Sequence, residues 1–511
     1  MTKRLAAAGS ALALALVASA CDNNLTDINT DPNNPTAVAA PGILPQAEKS
    51  AVNRALGSDF NLTMTALWSQ SWAKIQYIDE DRYKPRSTTI DTHWTSFYSS
   101  PLEDFQQVID QGTATSNPNW VAVGTIMQQW TFQVMTDVWG DIPYSEALQG
   151  ATATRPKYDT QKDIYYGMLA KLKSAGAGIK VNGASFGSED GIYEGDMAKW
   201  QRFSNSLRLR MAMRISNVDP AKAAAEAQAA ITAPGGVFQS NDDNAALHYS
   251  GAVPSDNPIY ARFHEEQRND QAVSRTVTDT LRRLNDPRLM VYAEPRTVAD
   301  SIDSGGQSHA PSCGGALYCG YQNGTVTASN FGAVSAIGDL FKEQPTKPSV
   351  MMTYSEVLFL EAEAAARGFI TGNAADLYRQ AIEASMDQYG IDAGATAAYL
   401  AQPSVAYTGL RSIYLQKWIA LYGNGPEQYA ELRRTAFING AGNVEYIPYV
   451  TPAPQASVQK VPFRLTYPTG EQSTNSENVL AAIKNNGGGT LYDRRVWWNT
   501  KSWTGADIST K

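Results

Sequence analysis

Apolar positions recur every three to four residues over most of the chain, the spacing that gives a helix one buried stripe. Residues 43–56 and 61–75 form the first such pair, broken at Gly57-Ser58. Ser58 or Asp59 offers a side chain suited to capping the second helix. A further run covers 92–109. Residues 120–138 follow Pro118-Asn119, are dense in apolar and aromatic side chains, and stop at Gly140-Asp141-Ile142-Pro143. Runs at 160–175 and 198–215 flank a glycine-rich loop, and 220–231 is a short alanine-rich helix with Pro220 at its start. From 233 to 345 the runs shorten while Gly, Asn, Asp, Pro and Ser increase. Within that stretch 274–284 predicts a helix and 289–293 a short strand. Periodicity resumes at 354–367, 374–389, 408–422 and 427–435. The chain therefore divides into helical hairpins over 41–232, a loop-rich insertion over 233–345, further hairpins over 346–436 and an irregular segment over 437–511 that packs back on the fold. Paired helices of this length predict an all-α-dominated, tetratricopeptide-like scaffold. In 354–389, Ala364 and Ala365 allow close approach to Ala381 and Ala384, although no pair carries the full W-x2-L-G-x2-Y pattern.

The N-terminus changes the picture from a plain helical protein to an exported one. Lys3 and Arg4 precede an apolar run from Ala6 to Ala18, shorter than the ~20 residues a membrane span needs. Residues 1–20 read as a signal peptide. Val17-Ala18-Ser19-Ala20-Cys21 reads as a lipobox that leaves Cys21 as the lipidated mature N-terminus. An ordinary signal cut after Ala18-Ser19-Ala20 is the alternative. Residues 21–40 then form a lipid anchor and a polar, turn-rich tether, so membrane attachment rests on lipid at Cys21. Export also exposes Cys313 and Cys319 to an oxidising environment. They are expected to close a short disulfide loop, with a pair of free thiols as the alternative. Two cysteines without nearby partners do not make a metal site, and none is expected. The 511-residue chain is 43% hydrophobic and 18% charged, enough apolar content for a large core, and its formal net charge is -8. No Lys/Arg-rich run offers a nucleic-acid surface.

Candidate chemistry fails at specific positions. His264-Glu265-Glu266 begins like a zinc-protease helix, but the second histidine is replaced by Arg268. Gly183-Ala184-Ser185-Phe186-Gly187 fits G-x-S-x-G without the preceding buried strand that motif needs. Gly487-Gly488-Gly489-Thr490 lacks a phosphate-loop lysine. Asp79-Glu80-Asp81 is expected to be a solvated acidic run, with a cation site as the alternative. No catalytic group and no cofactor is expected. The aromatic content carries more: 25 Tyr against 14 Phe, with 11 Trp. Tyr tolerates water at its tip, and sugar rings stack their C–H faces on aromatic rings while their hydroxyls seek acids, amides and Arg. Trp68, Trp72, Phe97 and Tyr98 sit at helical spacing and read as core. Tyr77, Tyr83 and Trp94 lie in or beside a non-periodic stretch and are expected to be exposed stacking residues, with Asp81 and Arg86 as hydrogen-bond partners. Tyr318 and Tyr321, held by the cysteine loop, are a second expected platform.

Several segments together resemble the SusD/RagB family of nutrient-binding outer-membrane lipoproteins. Asp27-Ile28-Asn29-Thr30-Asp31-Pro32-Asn33 is similar to the family's opening. Asp137-Val138-Trp139-Gly140-Asp141-Ile142-Pro143-Tyr144 is similar to its D-x-W-G-D-[IV]-P segment. Trp200 to Ala212, Tyr354 to Ala364 and Asp493 to Asn499 resemble three further segments in the same order. The resemblance implies about four tetratricopeptide-type hairpins plus an irregular ligand-binding part. It also implies a surface-exposed protein, lipid-anchored in the cell outer membrane, that binds a glycan and passes it to a SusC-like TonB-dependent β-barrel. Peptide binding within the same family, or a secreted glycoside hydrolase, are the alternatives. In these segments Trp139, Trp200, Trp497 and Trp498 are expected to pack, and Arg208 and Arg210 to form structural ion pairs.

Overall fold

The computed structural model describes residues 38–297, 313, 315–325, 331–436, 461–489, 491 and 495–500. The signal peptide, Cys21 and most of the tether lie outside these residues. Fifteen α-helices of seven residues or more occur among the described residues, with shorter turns between them. The first half carries α1 (Ala40–Leu56), α2 (Ser87–Phe97), α3 (Glu103–Ala114), α4 (Pro118–Trp139), α5 (Gln161–Gly178), α6 (Met197–Arg214) and α7 (Pro220–Ile231). The second carries α8 (Pro258–His264), α9 (Arg275–Arg283), α10 (Tyr354–Ala366), α11 (Ala374–Asp387), α12 (Ala393–Leu400), α13 (Leu410–Ala420), α14 (Gly425–Thr435) and α15 (Ser476–Asn485).

Local chemistry sets the helix ends. Asn117, Thr160, Asp196, Asp219, Ser274, Thr353 and Asn424 each accept a bond from a backbone N–H in the first turn of the helix that follows. Pro118, Pro220 and Pro426 occupy first-turn positions, where a missing N–H costs nothing. Gly140, at φ 84, stops α4. Helix α4 is buried along most of its length, the mark of a central helix. It packs between α3 and α5, α5 packs on α6, and α6 on α7; α10 and α11 form the closest pair of the second half. Ala364 and Ala381 are fully buried in that pair, as its alanine spacing predicts. Helix α10 also packs on α6 and α13, and α14 on α4, so the two sets of hairpins share one core.

Buried charge ties the halves together. Arg208 pairs within the first half with Glu226, while Arg210 reaches across to grip Glu356 through Nε at 2.7 Å and Nη2 at 2.6 Å. Arg214, on the next turn, reaches Glu427 at 2.5 Å and also Glu431. Trp139, Trp200 and Trp498 are fully buried, and Trp497 is half-buried. The segment from residue 461 returns to α4: Trp139 Nε1 donates to the Thr466 carbonyl, and Trp498 Nε1 to Asp137.

Among the described residues, three short antiparallel strand pairs complete the fold. They are β1 (Trp72–Lys74) with β5 (Gln271–Val273), β2 (Ile142–Pro143) with β3 (Tyr158–Asp159), and β4 (Ala245–Leu247) with β6 (Ser349–Met352). The first pair departs from the helix predicted over 61–75. The chain there runs as a π-helical segment, Ser58–Thr65, then a short turn, and residues 72–74 become strand because their ladder partners lie about 200 residues on. Neither Ser58 nor Asp59 caps the segment. The strand predicted over 289–293 is instead a helical turn, Leu289–Tyr292, ending in a single bridge from Ala293 to Ile337.

Candidate functional site

Three segments distant in sequence meet around the β1–β5 ribbon. The 75–86 loop follows β1, residues 267–270 lead into β5, and 315–325 lies along its far end. Tyr321 N donates to the Val273 carbonyl, and Arg275 N to the Tyr321 carbonyl. Gly320 N donates to Thr278 Oγ1 at 2.9 Å, and a Cβ on Gly320 would stand 2.4 Å from the Ser274 carbonyl oxygen, so the approach admits glycine alone. Cys313 and Cys319 are bonded, with Cα atoms 5.9 Å apart.

Asp81 is the hub of this junction. Its carboxylate accepts from Lys74 N at 3.1 Å, Gly324 N at 2.9 Å and Asn323 Nδ2 at 2.7 Å. It is 1% exposed, so it is a structural acceptor and has no face for a ligand, which corrects its expected role. Burial raises its pKa to about 6, and the three donors and Lys74 only moderate the rise. The raised pKa means the folded state holds the proton that the unfolded chain releases. The stabilisation is complete below the ordinary value of 3.8 and is lost as pH climbs through about 6. The stability of the wild-type chain minus that of Asp81→Asn is therefore expected to fall by about 2–3 kcal/mol between pH 4 and pH 7, read by urea unfolding at each pH. A flat difference would contradict this.

Two more expected platform residues join the same junction but turn inward. Tyr321 is 2% exposed in a small core with Ala73, Ile75, Ala272 and Val334. Tyr83 is 4% exposed, has a left-handed backbone at φ 62, and sets its ring edge-on to Trp68 at 6.4 Å. Neither offers a ring to solvent. Trp94 is not at the junction at all. It is 3% exposed and enclosed by Trp139, Tyr158, Tyr98 and Tyr467 at centroid distances of 5.3–6.1 Å, so its expected exposure is also corrected.

What remains outward is Tyr77, Arg86 and, half-buried, Tyr318. Tyr77 is 61% exposed, far more than its size favours. Its backbone takes a left-handed φ of 50, uncommon for a bulky residue, and its carbonyl accepts from Lys74 Nζ at 3.2 Å. Lys74 is in turn buried against Glu80 at 2.8 Å, which also meets Arg86 Nε at 3.2 Å. The loop thus presents one aromatic face on a fixed base. Arg268 lies over that ring at 5.0 Å, and Asp270 holds its guanidinium through Oδ1 at 3.2 Å and Oδ2 at 2.5 Å. In the sequence Arg268 stands out only as the residue that breaks the zinc motif; its alternation with Asp270 just before β5 is the available signal. Among the described residues no group of three or more His, Cys, Asp or Glu is placed to hold a metal ion. The G-x-S-x-G serine stands in a loop that enters a single 3-10 turn, with no buried strand before it.

The chain matches the SusD-like family, described as "Starch-binding associating with outer membrane", over residues 32–468. Comparison with curated proteins gives no match. Among solved structures, a chitin-binding protein superimposes with a TM-score of 0.77 at 30% identity, covering 90% of this chain and 100% of that one. A SusD homologue from Bacteroides uniformis ATCC 8492 gives 0.75 at 25% identity, covering 90% and 99%. A chitin-binding SusD homologue from Flavobacterium johnsoniae gives 0.75 at 24% identity over the same shares, a likeness of fold.

Proposed function

We propose that this chain, which belongs to the SusD-like family, captures an oligosaccharide at the cell surface on the Tyr77 ledge and passes it to a SusC-like TonB-dependent β-barrel. The observation that carries the reading is Tyr77 itself: an aromatic ring 61% exposed, on a left-handed residue braced by Lys74. A sugar's C–H face stacks on the side of the ring that Arg268 leaves open, while the guanidinium edges of Arg268 and of Arg86 in the same loop suit hydroxyl oxygens. The family's description supports the carbohydrate class, and the relative described as chitin-binding makes chitin oligosaccharides the first ligands to test. Tyr318, half-buried at the other end of the 315–325 segment, is proposed as a second contact for a longer chain. Calorimetric titration of the purified protein with chitohexaose, maltohexaose and a tryptic peptide mixture tests this. Heat with a glycan and an unchanged glycan afterwards supports the reading. Heat with peptides alone favours the peptide alternative, and shortened glycan products favour the hydrolase.

Attachment through lipid at Cys21 belongs to the same proposal. Among the described residues no helix is long and apolar enough to cross a membrane. Cys21→Ala is expected to move the protein from the membrane fraction to the soluble one, because a polar tether without acyl chains has little affinity for lipid. Sedimentation from cells lacking the barrel reads this directly, and continued pelleting would overturn it. The barrel complex is expected to co-purify and to bury more than ~2,000 Å².

A further inference from the structure

A second cleft, away from Tyr77, has a chemical bias that the sugar-binding reading does not use. It lies between the first turn of α8, the 345–353 segment that contains β6, the end of α11 and the turn joining α13 to α14. The room left inside is about 50 Å³, enough for a water pair or a carboxylate-sized group and too small for a sugar ring.

The groups lining it are unequal. Glu356 is committed to Arg210 through both oxygens. Tyr422 takes the Trp72 indole N–H and donates to the Tyr292 carbonyl, and the Asn424 amide donates to backbone carbonyls of β6. Lys347 is different. Its backbone is pinned, since its carbonyl accepts from Asn257 Nδ2 at 2.8 Å. Among the described residues its ammonium has only the Pro348 carbonyl at 3.4 Å and the face of Phe341 at 4.8 Å. Among the described residues no carboxylate pairs with it; the nearby Glu343 is already shared by Lys342 and His264. The residue is half-buried, and desolvation of its ammonium pulls its pKa down to about 8, with no opposing charge to hold it up. Two further donors line the same space. The Thr353 hydroxyl oxygen accepts from Glu356 N, which leaves its proton to be directed, and the Gln388 side-chain amide has no partner among the described residues.

We propose that this cleft is an anion subsite, in which Lys347 supplies the charge and Thr353 and Gln388 supply hydrogen-bond donors to a carboxylate or an oxyanion of similar size. Drawing an unpaired cation partly out of water is costly unless a counter-charge completes the site, and beside that charge the Thr353 hydroxyl and the Gln388 amide N–H can turn toward an anion. The carboxylate could arrive as a free small anion or as the acidic group at the tip of a larger ligand.

The test is thermal unfolding of the full chain in acetate, inorganic phosphate or glucuronate, each against sodium fluoride at matched ionic strength. The expected result is a rise in midpoint for the wild type, with an apparent affinity at least about tenfold weaker in Lys347→Met. Lys347→Arg keeps the charge and is expected to keep the response, which covers the case in which Lys347→Met does not fold. A response to acetate and phosphate points to a free anion. A response to glucuronate alone points to a ligand-borne carboxylate. No midpoint shift with any anion, or an equal shift in Lys347→Met, overturns the proposal. Because Tyr77 lies outside the cleft, Tyr77→Ala is expected to leave the anion response intact, so this inference and the glycan reading stand or fall separately.

Discussion

Glu363→Ala is expected to destabilise the protein by about 3–5 kcal/mol, because it removes one of the two carboxylates that pair with a guanidinium that has no access to water. Glu363 is fully buried on α10 and accepts from Arg434 Nη1 at 2.8 Å and Nη2 at 2.6 Å, from Arg367 Nε at 2.8 Å and from the Tyr414 hydroxyl at 3.0 Å. Arg434 sits wholly inside the protein, so the variant leaves it with only part of its counter-charge. Burial by itself would raise the Glu363 pKa, but the charges and hydrogen bonds of Arg434 and Arg367 together hold the carboxyl below its ordinary value. That contribution is present above the unfolded pKa and disappears as pH falls through the folded one, so the penalty of the variant is expected to shrink in acid. Glu383→Ala, which breaks the exposed pair with Arg379, is the control and is expected to stay within about 0.5 kcal/mol. Urea unfolding of both variants measures the contrast; similar losses would contradict it.

Trp94→Ala is expected to cost a similarly large sum, about 3–5 kcal/mol, with little direct effect on ligand affinity in whatever fraction stays folded. The indole fills the space where α2, the end of α4, β3 and the returning 461–468 segment meet. It stacks on Tyr158 at 5.8 Å and stands edge-on to Trp139 at 5.4 Å. Truncation removes those contacts and leaves a cavity that rigid neighbours cannot close. Urea unfolding beside calorimetry decides it. A stable variant that has lost glycan binding would return Trp94 to the ligand surface.

These two residues also show where the sequence was readable and where it was not. Local signals carried far: Pro118 and Gly140 delimit α4, Pro220 opens α7, and Arg208 and Arg210 pair as their place on a core helix suggests. The burial of Trp94 is not legible in its own segment because its cover is remote. The rings around it come from Tyr158 and Tyr467, and the periodicity of 87–97 alone cannot say that a segment more than 300 residues on lies over that face. Strand β1 is hidden from local periodicity for the same reason, its partner being β5. Tyr83 and Tyr77 occupy one loop and both have left-handed backbones, yet one ring turns into the core against Trp68 and the other into solvent. That choice depends on Lys74 and Glu80 below the loop, and on Asn323 and Gly324, which reach it from the far side of the chain. Asp81 is legible in the sequence as a special carboxylate, but its partners are the protein's own backbone and Asn323.

Glycan capture rests on an exposed, braced Tyr77. Calorimetric titration of Tyr77→Ala beside the wild type, with whichever of chitohexaose or maltohexaose the wild type binds, tests it most directly. The predicted result is an affinity at least about tenfold weaker, the loss of a stacked ring worth roughly 1–3 kcal/mol, with an unchanged urea midpoint because a ring 61% exposed supports little core. Unaltered affinity in a folded Tyr77→Ala would contradict it and place the sugar elsewhere on the molecule.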